Sequence, residues 1–154
     1  MPAYDFDNIQ RAGDLHLGLR IDRAASAHLA AVTPYFTIAG GPVLLTGLIG
    51  LVTVQATGAP ENFHWETLPT NGAVSPVCAL LDVDAAIIGS LLTITGVATD
   101  AMTYNASLTG LAMMTTNVVL SIGALNAEIA DSTGTTSWTL FYLPLTEAAY
   151  VVAA

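Results

Sequence analysis

The chain has 154 residues, enough for one domain with its own hydrophobic core, and its formal net charge is −9. Hydrophobic residues make up 53% of it and charged residues 10%, whereas a soluble domain has about 25% charged residues. The acidic balance argues against nucleic acid and against an anionic membrane surface, because both need basic side chains in their partner. Since few charges are available to keep the surface wet, we expect copies of the chain or another protein to cover much of it.

The basic residues divide the chain into two zones. All three, Arg11, Arg20 and Arg23, lie near the start; lysine is absent, and every formal charge beyond Arg23 is a carboxylate. Residues 1–34 are therefore predicted to be an N-terminal arm, and residues 35–154, rich in Thr, Val, Leu, Ala and Gly, a separate domain. The first residues lack the basic start and apolar run of a secretory signal, so synthesis in a cytoplasm is expected.

The arm has an extended part and a helical part. Residues 4–18 mix isolated apolar residues with charges and show no clear period, which is typical of a segment that becomes ordered on a partner. In residues 20–32, apolar side chains at Ile21, Ala25, Leu29 and Val32 recur at helical spacing, and alanine favours helix. We therefore predict a helix over residues 20–32.

The second zone has the pattern of an all-β domain. Short apolar and threonine-rich runs alternate with turn signals such as Gly40-Gly41-Pro42, which predicts a β-sandwich or barrel. The predicted strands cover residues 35–39, 43–55, 63–68, 77–83, 86–95, 102–108, 113–122, 125–129, 136–143 and 150–152. Two runs, 43–54 and 140–143, are apolar on both faces, so each is either covered within one subunit or part of a subunit interface.

Candidate chemical groups are few. His64 and Glu66 share one face of a predicted strand and would begin a metal site, but the second histidine expected on a neighbouring strand is missing, so we predict no metal and no cofactor. Asp82 and Asp84 fit an exposed strand end better than an acid–base pair, and Cys78, in an apolar run, fits a buried small residue. Nucleophile-elbow and phosphate-loop motifs are absent from the sequence, so we do not expect an enzyme.

Aromatic residues gather near the end of the chain. Trp138, Phe141 and Tyr142 fall on one predicted strand, and such residues bury large areas in cores and interfaces. We predict that they form an oligomer interface. An alternative is a carbohydrate-binding β-sandwich that uses Trp138 or Trp65.

Three segments resemble small virion proteins of tailed bacteriophages. They are residues 35–50, around Gly40-Gly41; residues 85–96; and residues 133–154, with a Thr-Gly turn, an aromatic strand, a Leu-Pro-Leu break and a short apolar terminal strand. The resemblance is to capsid decoration, or cement, proteins. It implies a jelly-roll-like sandwich or barrel that forms a homotrimer, binds neighbouring major capsid proteins and lies on the capsid surface of the virion after synthesis in the host cytoplasm.

The same resemblance gives the N-terminal arm a role. An arm that reaches across capsomers would bind by strand addition or lay a short helix in a groove. Its expected apolar anchors are Tyr4, Phe6, Ile9, Leu15 and Leu17, and Arg11, Arg20 and Arg23 would pair with capsid carboxylates. The alternative within a virion is a jelly roll of the tail, neck or fibre.

Overall fold

The computed structural model describes residues 17–57, 60, 62–105, 108–130 and 133–154. Within these ranges the chain is almost entirely strands and turns. The described residues contain no helix with the length and apolarity required to cross a membrane.

Twelve strands form within the described ranges. They are β1 (Leu19–Ala27), β2 (Val32–Ala39), β3 (Val43–Val54), β4 (Asn62–Pro69), β5 (Ser75–Pro76), β6 (Leu81–Asp82), β7 (Leu91–Thr93), β8 (Thr103–Tyr104), β9 (Val118–Leu120), β10 (Gly123–Ile129), β11 (Thr135–Pro144) and β12 (Tyr150–Ala153).

The strands make two antiparallel sheets that pack face to face, so the predicted all-β class is confirmed as a β-sandwich. Sheet A has the order β1-β11-β3-β7-β8, with β9 also paired to β3. Sheet B has the order β12-β2-β10-β4-β5, with β6 also paired to β4. Apart from β4 with β5 and β7 with β8, neighbours in each sheet are far apart in the chain, so register depends mainly on long-range pairing.

The core lies between the sheets and is centred on two tryptophans. Trp65 of β4 and Trp138 of β11 meet edge to face with ring centroids 4.7 Å apart, joining sheet B to sheet A. Gly50 of β3 lies opposite Trp138, and a Cβ atom there would come within 2.7 Å of the indole. A glycine is therefore required at this position for the ring to lie flat against β3.

The predicted helix over residues 20–32 is wrong. Residues 19–27 form β1, an edge strand that pairs with β11 from Leu19 opposite Tyr142 to Ala27 opposite Thr135. Ile21 packs against the core from this strand. Ladder hydrogen bonds and burial on one face outweigh the modest helix preference of the alanines, because propensity is a weak term beside tertiary pairing.

The described part of the predicted arm therefore belongs to the sandwich. Residues 19–27 lie in sheet A, and β2 begins at Val32, before the boundary predicted at residue 34. At this edge the Arg23 guanidinium stacks on the ring of Tyr35 from sheet B, 3.8 Å from its centroid, and its Nε donates to the Ala154 carbonyl at 3.3 Å. Residues 1–16 lie outside the described residues.

The long predicted strands are confirmed in the first and last parts of the predicted domain's sequence but not between residues 77 and 122. The runs over 43–55, 63–68, 125–129 and 136–143 correspond to β3, β4, β10 and β11. The runs over 77–83, 86–95, 102–108 and 113–122 contain only strands of two or three residues, joined by turns and bends. The apolar residues of these runs are buried only in part, at Ile94 and Met102 for example but not at Ile88, and they form no long ladder.

Candidate functional site

A polar cluster lies on the outer face of sheet B. His64 and Glu66 project from β4 on the face opposite to the core, and in the register of the sheet His64 lies opposite Glu128, and Glu66 opposite Asn126, on β10. One ligand atom from each of His64, Glu66 and Glu128 lies within 4.8 Å of the other two. The antiparallel pairing thus brings one imidazole and two carboxylates together in a fixed arrangement.

Hydrogen bonds and burial distinguish the members of this cluster. His64 Nε2 lies 3.4 Å from Glu128 Oε2, and these side chains are 14% and 47% exposed. Glu66 is only 7% exposed, and its Oε1 accepts a long hydrogen bond from Asn126 Nδ2 at 3.4 Å. The second ring nitrogen of His64, Nδ1, is buried and has no hydrogen-bond partner.

The described arginines are engaged elsewhere. Arg20 Nε donates to Asp22 Oδ1 at 2.9 Å, and the Thr139 hydroxyl donates to the same oxygen at 2.7 Å. Hydrogen bonds from Thr139 and Arg20 lower the pKa of the Asp22 carboxyl. Arg23 is held at the opposite side of β1 by Tyr35 and Ala154. Neither guanidinium neutralises the carboxylates on sheet B.

The same outer face becomes apolar toward the other end of β4. One row of residues crosses four strands of sheet B. Its members, in order, are Leu68 of β4, Ala124 of β10, Thr37 of β2 and Val152 of β12. With Ile122, the first three of these residues line a shallow groove of about 620 Å³, and Val152 borders it in the sheet register. Leu68, Ile122 and Val152 are each more than two-fifths exposed. We call this surface the sheet B groove.

Sheet A also has an apolar outer face. Ile49, Leu51 and Leu91 line a cleft of about 600 Å³ together with Arg20 and Asp22 at its edge. Phe141 points to this face beside Gly47, where a Cβ would meet both its ring and the Met113 side chain. Both outer faces of the sandwich thus present apolar side chains to solvent.

The predicted arm residues divide into two groups. Tyr4, Phe6, Ile9, Arg11 and Leu15 lie outside the described residues. Leu17 precedes β1, and its carbonyl accepts a hydrogen bond from the Thr46 hydroxyl. Arg20 and Arg23 lie on β1 and make the contacts given above, within the chain itself.

The predicted oligomer interface at the aromatic strand requires correction. Trp138 is 1% exposed and Tyr142 3%, so both rings are in the chain's own core and are removed from any interface. The strict alternation of β11 places these two inside and Phe141 outside, half-buried. Burial also excludes Trp138 and Trp65 as a sugar-stacking platform, since Trp65 is fully buried.

Two other sequence candidates have local structural roles. Asp82 Oδ1 accepts a hydrogen bond from the Asp84 amide at 3.1 Å, which closes a turn after β6. Cys78 is buried, as predicted, and its sulfur accepts a hydrogen bond from the Trp65 amide. Burial raises the pKa of the Cys78 thiol to about 11.

Sequence reasoning missed Glu128. The alternation in residues 125–129 indicates that Asn126 and Glu128 share the polar face of a strand, and His64 and Glu66 have the same pattern on theirs. The pairing of these two strands joins residues more than 60 positions apart, and no local signal in the sequence specifies it.

Comparison with known proteins gives no relative for this chain. No protein-family model matches it, and neither a curated protein nor a solved structure shows significant similarity.

Proposed function

We propose that the protein is a structural component of a tailed-phage virion, a decoration protein that stabilises the head by bridging major capsid proteins. The observation that carries the proposal is the apolar character of both outer faces in a chain with very few charges. On the outer faces, Leu51 of sheet A and Leu68 and Val152 of sheet B are each at least two-fifths exposed. An exposed apolar surface of this kind marks a protein–protein contact.

We further propose that the sandwich is of the jelly-roll type. A jelly roll consists of two four-stranded sheets connected as Greek keys. Supporting this, β1, β11 and β3 are adjacent in one sheet and β2, β10 and β4 in the other, so that β1 to β4 alternate between the sheets, as do β9 to β12. In this reading β12 is an additional strand at the edge of sheet B.

Self-association as a homotrimer accounts for the sheet B groove. The groove offers shape and apolar area but no charge other than the neighbouring carboxylates, which suits a contact between copies or with a capsid subunit. Light scattering behind a sizing column tests this directly. A trimer has a mass of about 48 kDa, three times the 15.9 kDa chain, and a monomer at all concentrations would overturn the trimer.

Binding to capsid shells is the test of the function itself. The full chain is mixed with empty shells of the cognate major capsid protein, and pelleting is measured together with the temperature at which the shells break. We expect co-sedimentation and more heat-resistant shells, because many weak contacts repeated over a shell add up. A folded chain that stays in the supernatant and leaves shell stability unchanged would refute the proposal.

The role of the N-terminal arm is tested by a deletion that leaves the strands of the sandwich intact. Removing residues 1–16 leaves β1 intact, whereas a cut at residue 30 would delete this strand. If the arm anchors the protein through Tyr4, Phe6, Ile9 and Leu15, the shortened chain keeps its fold and loses shell binding. Equal binding by both chains would assign recognition to the sandwich alone.

A further inference from the structure

The cluster on the outer face of sheet B has the composition of a metal site. His64, Glu66 and Glu128 offer one nitrogen and two carboxylate groups, with the ligand atoms all within 4.8 Å of one another. We propose that these three residues bind a divalent transition-metal ion of the Zn²⁺ class. Three protein ligands with a fourth position left to water are a common arrangement for zinc.

The charge of the cluster favours a cation. Glu66 is more than nine-tenths buried, and its nearest described polar partner is a neutral amide at 3.4 Å. Glu128 brings a second negative charge to the same place, and the described arginines are engaged on sheet A and its edge. A buried carboxylate is costly unless a cation compensates it, and lysine is absent from the whole sequence.

The two ring nitrogens of His64 have different surroundings. Its Nδ1 is buried without a hydrogen-bond partner, although nearly all buried polar atoms in proteins are paired. The other nitrogen faces the Glu128 carboxylate at 3.4 Å. A histidine ligand gives one nitrogen to the metal, and Nε2, which faces Glu128, is the nitrogen placed to share an ion with that carboxylate.

The geometry requires little movement. Ligand atoms about 2.0–2.2 Å from a tetrahedral zinc ion lie roughly 3.4 Å apart, the distance that already separates His64 Nε2 and Glu128 Oε2, 3.4 Å. The Glu66 carboxylate has a ligand atom within 4.8 Å of those of the other two residues, so the proposal requires its side chain to turn toward the same centre. Because β4 and β10 are rigid neighbours in a sheet, the backbone does not have to rearrange.

The neighbours of the cluster in the sheet register are mostly apolar. In the sheet register, Val32 and Pro34 of β2 lie beside Glu128 and Asn126, and Pro76 of β5 lies beside Glu66. The half-exposed Glu128 side chain leaves an entry path for the ion.

The mixed donor set also favours one class of metal. Imidazole nitrogen suits zinc and neighbouring transition metals, whereas Mg²⁺ and Ca²⁺ prefer shells made only of oxygen. The sequence alone predicts no metal because a second histidine is missing. In the folded chain Glu128 fills that place.

Calorimetric titration of the purified full chain, stripped with a chelator, tests the site. We expect ZnCl₂ to bind at one ion per chain, and MgCl₂ at the same concentrations to give no heat of binding. Absence of a zinc-binding event at 100 times the protein concentration would overturn the proposal.

Isosteric variants locate the ion. Glu128→Gln changes a half-exposed side chain and is expected to fold normally, and Glu66→Gln keeps the shape of the buried one. Each should weaken zinc binding by at least about tenfold. The matched control is Glu147→Gln, an exposed carboxylate in the turn between β11 and β12, which should bind like the unmodified chain. Unchanged affinity in Glu128→Gln would show that zinc binds elsewhere, and the proposal would be wrong.

Discussion

The two faces of β4 carry opposite kinds of residues and differ in how they are specified. Its inner face places Phe63 and Trp65 in the core, among mainly apolar and aromatic neighbours, with His28 edge to face against Phe63. Its outer face changes along the strand, from His64 and Glu66 to Leu68. The inner face is a general requirement of any sandwich, whereas the divided outer face is particular to this chain and gives the better indication of its function.

Removal of an inner side chain should have the largest effect. Trp65→Ala is expected to lower the free energy of unfolding by about 3–5 kcal/mol, because it leaves a cavity beside Trp138. The matched outer variant, Leu68→Ala, should cost less than about 1 kcal/mol in a dilute sample, since that side chain is 42% exposed. Urea unfolding measures both, and equal losses would contradict the assignment of the two faces.

A charge in the sheet B groove should abolish self-association. Leu68→Asp would bury an unpaired carboxylate between copies, so we expect the mass in solution to fall to that of one chain. Val97→Asp introduces the same charge at an apolar residue, 38% exposed, in the turn between β7 and β8. If Val97→Asp dissociates the oligomer and Leu68→Asp does not, the contact lies outside the groove.

The sign of the effect at Glu66 should depend on zinc. Without metal, Glu66→Gln removes a buried charge and is expected to stabilise the chain by about 1 kcal/mol. With zinc at 100 times its dissociation constant, the unmodified chain gains about 2.7 kcal/mol and should become the more stable of the two. Thermal unfolding with EDTA and with ZnCl₂ measures this reversal, and a difference that is the same in both conditions would indicate a purely structural Glu66.

The smallest effect concerns Cys78, which lies behind the inner face of β4. With its pKa raised to about 11 by burial, the thiol is about one part in a thousand thiolate at pH 8. Alkylation by iodoacetamide should therefore be slow in the folded chain and become fast in urea. Rapid labelling of the native protein at pH 8 would mean that the structure beside β4 opens readily and exposes the Cys78 thiol.

The predictability of the fold follows the length of the strands. The apolar and threonine-rich run over 43–55 predicts β3, the alternation over 63–68 predicts β4, and the aromatic and apolar run over 136–143 predicts β11. Each of these strands buries one face along its length. Between residues 70 and 117 the same kind of apolar run forms only short strands, and its side chains are buried only in part. At residues 19–27 helical spacing was misleading, because pairing with β11 outweighed alanine propensity.

The sequence indicates only part of the candidate site. His64 and Glu66 were recognised as a possible start of a metal site, and Trp138 and Tyr142 were misassigned to an interface. Because β11 carries apolar residues on both faces, its composition does not show which face points to the core. In the folded chain Trp138 lies against Gly50, where there is no Cβ atom to block the ring, and this face is the inner one.

The sequence by itself determined the all-β class, the turn at Gly40-Gly41-Pro42 and the scarcity of charge, because these depend on local periodicity and composition. The tertiary structure decided which strands are neighbours. Strand pairing places Glu128 beside His64, more than 60 residues away in the chain. It also places Leu68 and Val152 in one row across the outer face of sheet B. At residues 19–27, where the sequence predicts a helix, pairing with β11 produces the strand β1. Strand pairing is a long-range choice made by burial of whole faces, so the chemistry of a sheet surface appears only when the sheets have formed.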